Sequence, residues 1–245
     1  MEDKALLSTE VASGAEKAEL LIVIPAYNEA ENIERVVNHL TANFPQYDYV
    51  VVNDGSRDET AAICQRNGYN LLNLPVNLGL AGAFQAGLKY ADKYGYQYAV
   101  QLDGDGQHRP EYLESMIKKM EEGYDIVIGS RFVGEKKPFT MRMLGSNLIE
   151  MAIRFTNGVN IKDPTSGMRM FSKRMIREFA SGLNYGPEPD TVSYLIRQGA
   201  RVAEVPVIMD ERILGVSYLT PVNAMRYMLK MLISILLIQN FRKRR

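Results

Sequence analysis

The strongest constraint on the fold is a unit that recurs along the chain: a short apolar run, a polar loop, and a segment with helical periodicity. Residues 20–24 and 49–52 are such apolar runs, and residues 29–44 and 57–66 follow them with helically spaced apolar side chains. Apolar runs without alternation are typical of parallel strands that are buried on both faces. We therefore predict an α/β fold with a mostly parallel, Rossmann-like central sheet flanked by helices.

The same pattern continues beyond the first two units. Further strands are predicted at residues 70–74, 98–102, 125–128, 168–171 and 202–209, and further helices at residues 81–94, from Pro110 onward and at 141–156. A chain of 245 residues, 46% hydrophobic and 24% charged, suits one α/β domain with a large core. We predict a polar N-terminal extension at residues 1–19, a main domain at 20–219 and a C-terminal helix at 220–245.

Charge and cysteine content limit which partners and which cellular compartment we expect. Lys and Arg together number 29, as do Asp and Glu, so no overall field attracts nucleic acid and we expect no such partner. The single cysteine, Cys64, cannot form an internal disulfide, and residues 1–19 are too acidic and too weakly apolar for a signal peptide. We therefore expect a cytoplasmic protein.

The polar loop at residues 103–108, DGDGQH, directly follows a predicted strand. Asp103 and Asp105 stand two residues apart on a glycine-rich loop, so their carboxylates can converge on one hard cation that also holds phosphates. A plain surface turn uses the same residue types, and so does a calcium loop, although Glu111 is poorly placed as the later acidic ligand that calcium needs. From this loop alone, metal binding and a turn remain equally open.

Two more polar loops end predicted strands: residues 25–29, PAYNE, and residues 53–56, NDGS. The carboxyl ends of parallel strands lie at one edge of a sheet, which is where ligands bind in open α/β folds. We therefore expect these two loops and the loop at residues 103–108 to form one site.

Together with Asn77 and Gly79 before the third helix, these loops resemble the family-2 glycosyltransferases. Within that family, the sequences QH at 107–108, GSR at 129–131, DPTSGMR at 163–169 and ER at 211–212 resemble the branch that includes dolichyl-phosphate mannose synthases and bacterial polyprenyl-phosphate glycosyltransferases. The resemblance covers roughly residues 20–219. It implies a GT-A fold, with that segment as the catalytic domain.

The resemblance also implies a reaction. That reaction is the inverting transfer of a hexose or N-acetylhexosamine from a UDP- or GDP-sugar to a polyprenyl phosphate, undecaprenyl or dolichyl, for cell-envelope glycan synthesis. Two rival functions remain open: transfer to a hydroxyl of a glycan acceptor, and a non-catalytic nucleotide-sugar-binding subunit of a membrane assembly. A small membrane protein or a second copy of the chain is a further possible partner.

The roles of the donor-site residues follow from the resemblance. The nucleotide base and ribose are held by four residues near the first two strands: Pro25, Tyr27, Glu29 and Asp54. The diphosphate is held through Mg²⁺ or Mn²⁺, which stabilises the charge that builds up on the leaving nucleotide. The implied ligands of that metal are Asp103, Asp105 and Gln107.

Arg131, Arg169 and Arg212 are implied to bind the donor diphosphate and the acceptor phosphate, for which a guanidinium fork is suited. Each could instead take part in a structural salt bridge. One departure from the branch lies nearby: Tyr218 follows Ser217, where a basic residue is frequent.

Glu188 and Asp190 stand where many family-2 enzymes place an acidic base before a helix. A hydroxyl acceptor would need one of them to remove its proton. A phosphate acceptor is already ionised, and the two carboxylates would then bind hydroxyls of the donor sugar. A third interpretation is that Pro189 and Asp190 only start a helix.

Residues 222–241 predict an amphipathic helix. Fourteen of these twenty residues are apolar, and Arg226, Lys230 and Ser234 form one polar stripe at a spacing of four residues. The uncharged stretch 231–238 is far shorter than the ~20 residues that span a bilayer. With the basic residues 242–245 behind it, we predict a helix that lies on an anionic membrane surface, on its cytoplasmic face. A helix packed on the protein's own core or at a dimer seam is the alternative.

Overall fold

Seven strands form one mixed sheet with helices on both faces, in a computed structural model that describes residues 18–135, 137, 140–182, 186–210 and 221–241. The strands are β1 Leu20–Ala26, β2 Asp48–Asp54, β3 Leu71–Leu74, β4 Tyr98–Gln101, β5 Ile126–Ser130, β6 Arg169–Ser172 and β7 Val202–Pro206. The helices are α1 Ile33–Asn43, α2 Thr60–Arg66, α3 Gly79–Lys93, α4 Leu113–Glu121, α5 Met141–Asn157, α6 Lys173–Ser181, α7 Pro189–Arg197 and α8 Pro221–Leu236. Short 3₁₀ helices cover Pro110–Tyr112 and Ile238–Phe241.

The sheet has the strand order β3-β2-β1-β4-β6-β5-β7. All neighbouring strands are parallel except at β6, which runs antiparallel to both β4 and β5. The predicted α/β fold with a mostly parallel sheet is therefore confirmed. The strand order reverses between β1 and β4, and in open α/β sheets ligands bind at such a switch point, beyond the carboxyl ends of the strands.

The direction of β6 matters for the site. Because β6 is antiparallel, its first residue lies at the same edge of the sheet as the last residues of its parallel neighbours. The segment that precedes β6, residues 163–168, therefore joins the loops that follow β1, β2, β4 and β5. The sequence pattern had not indicated this reversal.

Alternating side chains of β1 pack into two separate cores, one on each face of the sheet. Leu21 and Val23 belong to the core under α3, α5, α6, α7 and α8. Leu20, Ile22 and Ile24 belong to the core under α1, α2 and α4. Both faces of the strand are thus covered, as its uninterrupted apolar sequence predicts.

Helix α8 packs on α5 and α7, with Met231 and Ile235 buried in the first of these cores. No helix within the described residues is long and apolar enough to cross a membrane. Helix α1 begins at Ile33 rather than at Glu29, and β7 ends at Pro206 rather than at residue 209.

Some of the predictions fall on residues outside the described ranges. These are most of the extension at 1–19, Arg212 with the neighbouring motif at 211–212, the departure at 217–218, and the basic residues 242–245. The division of the chain into three domains stays a prediction.

Candidate active site

The loops after β1 and β2 are joined by reciprocal hydrogen bonds. The backbone N–H of Asn28 donates to Ser56 Oγ at 3.0 Å, and the backbone N–H of Arg57 donates to Asn28 Oδ1 at 2.9 Å. Asn28 has φ of 56°, in the left-handed region that asparagine tolerates better than most residues. The pairing holds Tyr27 and Glu29, both partly exposed, beside the end of β2.

Asp54 is buried at the end of β2, and its Oδ1 accepts a hydrogen bond from the backbone N–H of Leu78 at 2.7 Å. This bond draws the loop before α3 toward the same edge. Asn77, in that loop, accepts from the backbone N–H of Gly79 at 3.1 Å. Asp54 therefore fixes the start of α3, and the nucleotide-binding role predicted for it stays a prediction.

The acidic loop after β4 lies directly against the end of β1. A Cβ atom on Gly104 would stand 3.1 Å from the carbonyl oxygen of Pro25 and 3.6 Å from Glu29 Cγ. Because glycine has no Cβ, the backbone between Asp103 and Asp105 can approach this closely. The structure thus brings the acidic loop and the first polar loop together at the switch point between β1 and β4.

Three neighbours lie against the carboxylate of Asp103. Gln101 Nε2 donates to Asp103 Oδ1 at 2.9 Å, and His108 Nε2 lies 3.6 Å from Asp103 Oδ2. His108 Nδ1 accepts from the backbone N–H of Asp103 at 3.0 Å, so Nε2 carries the ring proton in a neutral imidazole. A Cβ on Gly167 would lie 3.2 Å from Asp103 Oδ2, which places the loop before β6 against the same carboxylate.

Asp105 and Gln107 are tied to the other side of the loop. Asp105 Oδ1 accepts from the backbone N–H of Gln107 at 3.0 Å, and Arg35 donates to the carbonyl oxygen of Asp105 at 2.9 Å. Gln107 Nε2 donates to the carbonyl oxygen of Asp210 at 3.2 Å. Asp210 also forms a two-pronged ion pair with Arg109. The segment after β7 therefore braces the acidic loop.

The side chains of Asp103, Asp105 and Gln107 fit a divalent cation that is bound together with phosphates. They offer oxygen donors, which Mg²⁺ and Mn²⁺ prefer, and the Asp103 side chain is 36% exposed. Within the described ranges, no three His, Cys, Asp or Glu side chains are grouped to hold a metal by themselves. Magnesium is usually held in this open way, by one or two carboxylates with substrate phosphates and water completing its shell.

Arg131, at the end of β5, is paired with Asp163 in the loop before β6. Arg131 Nε and Nη2 donate to the two carboxylate oxygens of Asp163 at 2.7 and 2.8 Å, and the Arg131 backbone N–H donates at 3.1 Å. The Asp163 side chain is fully buried, whereas that of Arg131 is 25% exposed. The salt bridge that was the alternative role for Arg131 is thus present in this structure, and the Arg131 side chain remains partly exposed.

Arg169, the first residue of β6, is buried. Its Nη2 donates to the carbonyl oxygen of Pro164 at 2.6 Å, while Nε and Nη1 have no hydrogen-bond partner among the described residues. Burial lowers the pKa of Arg169, and the nearby groups of Tyr227, Glu188, Asp163 and Asp190 act against that shift. A buried guanidinium with two unused donors is costly, which is typical of a functional site.

Glu188 and Asp190 stand at the start of α7 and are both engaged by α8. The Tyr227 hydroxyl donates to Glu188 Oε2, and the Ser234 hydroxyl donates to Asp190 Oδ2 at 2.6 Å. Both carboxylates lie near enough to Arg169, at the start of β6, to act electrostatically on its guanidinium.

Sequence reasoning missed Asp163, Asp210, Arg109, Tyr227 and Ser234 as partners of site residues. Asp163 enters the sequence analysis only as part of the motif at residues 163–169, and its partner Arg131 lies 32 positions earlier. Such long-range pairs leave no local pattern, so only the three-dimensional fold reveals them.

A family model described as "Glycosyl transferase family 2" matches residues 21–180, which is more than half of the chain. The chain belongs to glycosyl transferase family 2. The match spans β1 to α6 and therefore includes the acidic loop, Arg131 and Asp163.

Two relatives of this family-2 glycosyltransferase support the branch predicted from the sequence. A polyprenol monophosphomannose synthase of Mycolicibacterium smegmatis is 32% identical over 223 residues, which cover 86% of this chain and 84% of the relative. An undecaprenyl-phosphate mannosyltransferase of Micrococcus luteus is 31% identical over 210 residues, covering 81% and 86%.

A solved structure confirms the predicted GT-A fold. Glucosyl-3-phosphoglycerate synthase of Mycobacterium tuberculosis, in complex with Mn²⁺, UDP and glucosyl-3-phosphoglycerate, matches with a TM-score of 0.63 at 20% identity. The match covers 90% of this chain and 79% of that protein.

Proposed function

We propose that this family-2 glycosyltransferase moves a hexose or N-acetylhexosamine from a UDP- or GDP-sugar to a polyprenyl phosphate, with inversion. The observation that carries the proposal is the convergence of the loops after β1, β2 and β4 and the loop before β6 at one switch point, with Asp103 and Asp105 in its centre. Relatives named for transfer to polyprenol and undecaprenyl phosphate support the acceptor.

The donor half of the site lies over β1, β2 and β4. Tyr27 offers a partly exposed ring for stacking on the base, and Glu29 offers a carboxylate for ribose hydroxyls. Asp103, Asp105 and Gln107 would hold Mg²⁺ or Mn²⁺ against the diphosphate, and the metal would stabilise negative charge on the departing nucleotide. His108 and Gln101 orient Asp103 for this role.

The acceptor half lies toward β5 and β6. Arg131 holds a fixed position through Asp163 and its side chain is partly exposed, so an acceptor phosphate can meet an already oriented cation. A phosphate oxygen is ionised near neutral pH and needs no base to become nucleophilic. Glu188 and Asp190 are then free to bind hydroxyls of the donor sugar, which their fixed orientation suits.

The α5–α8 face supports contact with a membrane. We define it by the exposed apolar side chains of two neighbouring helices: Leu144, Leu148, Met151 and Phe155 of α5, and Met225, Leu229, Ile233 and Leu236 of α8. Phe155 is 85% exposed and Met225 66%. Arg154, Arg226 and Lys230 are exposed on the same helices, so the charge of this face suits anionic lipid.

The direct test of the proposed function is a transfer assay. Purified protein is incubated with Mg²⁺ or Mn²⁺, a short polyprenyl phosphate, and GDP-mannose, UDP-glucose or UDP-N-acetylglucosamine in separate reactions. We expect a phosphate-linked lipid sugar with one of these donors, and GDP-mannose is the first to try because both relatives are named for mannose. A product formed only on a glycan hydroxyl would overturn the acceptor.

The two acceptor classes also differ in how they respond to substitution. General-base removal typically costs ~10²–10⁴-fold in rate, so Glu188→Gln or Asp190→Asn should lower turnover by that factor only if a hydroxyl is the acceptor. With polyprenyl phosphate, we expect these changes to act mainly on donor affinity and Arg131→Lys to be the more damaging change.

A further inference from the structure

Two side chains of α8 point away from the α5–α8 face and hold the carboxylates at the start of α7. Tyr227 and Ser234 are seven positions apart, two helical turns, so they lie on one side of the helix with Met231 between them. Tyr227 contacts Glu188 and Ser234 contacts Asp190. The side chain of Gln239 adds a hydrogen bond to the backbone oxygen of Asp190. One helix thus fixes both acidic side chains.

These contacts are partly sheltered from water. Ser234 is 5% exposed, and burial together with the nearby carboxylate of Glu188 raises the pKa of Tyr227. The Tyr227 hydroxyl therefore keeps its proton and remains a donor. A hydrogen bond to an ionised group in such surroundings is among the stronger ones in proteins, so it holds Glu188 in one orientation.

Arg169 adds a second observation at the same place. It is buried, two of its donor groups have no hydrogen-bond partner among the described residues, and Tyr227, Glu188 and Asp190 all influence its charge. The polar cluster of β6, α7 and α8 therefore combines a buried guanidinium that has unused hydrogen-bonding capacity with two partly exposed carboxylates, Glu188 and Asp190. The hydroxyl oxygens of a bound sugar would accept hydrogen bonds from the unused donors of Arg169. The hydroxyl protons of the same sugar would donate to the carboxylates of Glu188 and Asp190.

We propose that Tyr227 and Ser234 are positioning residues that orient Glu188 and Asp190 toward the sugar of the bound donor. This inference rests on the proposed function, because it takes the two carboxylates as ligands of the donor sugar. It also assigns α8 two roles: one side faces the membrane, and the other sets the geometry of the sugar subsite.

Substitutions of Tyr227 and Ser234 should therefore weaken binding of the sugar without weakening binding of the nucleotide. Tyr227→Phe removes only the hydroxyl, so Glu188 loses its fixed orientation while the loops over β1 and β2 are untouched. We expect affinity for the nucleotide sugar to fall about 10-fold, and affinity for the free nucleoside diphosphate to stay unchanged. Ser234→Ala should act in the same direction through Asp190, and Ser234→Thr, which keeps a hydroxyl, should restore affinity.

The experiment measures dissociation constants by titration calorimetry for GDP and GDP-mannose, and for UDP and UDP-glucose, with the full chain and Mg²⁺. Tyr96→Phe is the matched control, because it also removes a buried tyrosine hydrogen bond, to Asp48 at 2.8 Å, at the opposite edge of the sheet. Ser193→Ala is the control for Ser234, since it removes a buried hydroxyl that links α7 to Asn157 of α5 at 2.7 Å.

Equal losses of affinity for the nucleotide and the nucleotide sugar would overturn the inference. So would losses of affinity no larger than those of the two control variants. If a variant is unfolded in a thermal melt, the Ser234→Ala and Ser234→Thr pair still decides the outcome at the second carboxylate. The proposed function fails differently: the wild type would then bind nucleotide sugar without forming a phosphate-linked lipid product.

Discussion

Arg131 and Asp163 form a two-pronged ion pair in which the Asp163 side chain is fully buried and the Arg131 side chain is one-quarter exposed. The pair joins the loop after β5 to the loop before β6, and a third hydrogen bond from the Arg131 backbone strengthens the connection. Arg131 is therefore both a candidate phosphate ligand and part of the fold.

Arg131→Ala should destabilise the protein by about 3 kcal/mol, because it leaves the Asp163 carboxylate buried without its cation. Arg131→Lys keeps the positive charge but loses one prong, so we expect a smaller loss of stability and a clear loss of transfer. Urea unfolding measures the first quantity and the transfer assay the second. The control is Arg109→Ala, which breaks a pair whose carboxylate is 43% exposed and should cost much less. Equal stability of Arg131→Ala and wild type would contradict the role in folding.

A second prediction concerns the acidic loop. Asp103→Asn and Asp105→Ala should each lower turnover at least about 100-fold, and a chelator should abolish the activity of the wild type. The reason is that a weakly bound or absent divalent ion cannot stabilise the negative charge on the departing diphosphate. The control is Asp92→Asn, which removes a carboxylate of α3 that lies 3.9 Å from the guanidinium of Arg177. Full turnover in excess chelator would rule out the metal.

The strands and the three polar loops could be predicted because each leaves a local pattern: an apolar run, then turn formers and carboxylates. The direction of β6 could not be predicted, because the sequence pattern of its four residues is compatible with a parallel or an antiparallel strand. The direction depends on the connection from β5 through α5. The polar stripe of α8 predicted the solvent exposure of only some of its residues. Arg226 and Lys230 are exposed, whereas Ser234 is buried against Asp190, a partner 44 positions away.

A third prediction uses the ion pair that braces the acidic loop. The hydrogen bond from Arg109 lowers the pKa of Asp210 below its ordinary value of 3.8. A carboxylate with a lowered pKa in the folded state stabilises the fold above its unfolded pKa, and this contribution disappears as pH falls through the folded value. The melting temperature of wild type should therefore exceed that of Asp210→Asn at about pH 7. The difference should shrink as pH falls below about 4 and vanish below the lowered pKa of the folded state. A difference that does not shrink as pH falls below about 4 would contradict the assignment to this carboxylate.

The last prediction concerns the α5–α8 face. Deleting α8 would not test it cleanly, because Met231 and Ile235 belong to the core and Tyr227 and Ser234 hold the sugar subsite. Point changes on the exposed side avoid this difficulty. Phe155→Glu with Leu229→Glu places two negative charges where two side chains are 85% and 58% exposed in the free protein.

On an anionic vesicle these two changes both remove apolar contact and add repulsion, so we expect co-sedimentation with phosphatidylglycerol vesicles to weaken at least about 10-fold. The matched control is Val76→Glu with Leu80→Glu, which adds the same charge at two apolar side chains that are 57% and 48% exposed near the start of α3. If the face instead joins two copies of the chain, vesicle binding will be unchanged and size-exclusion chromatography will show wild-type dimers that the Phe155 and Leu229 changes dissociate. Loss of vesicle binding in the first pair of changes alone supports the membrane as the partner, because total charge is then excluded as the cause.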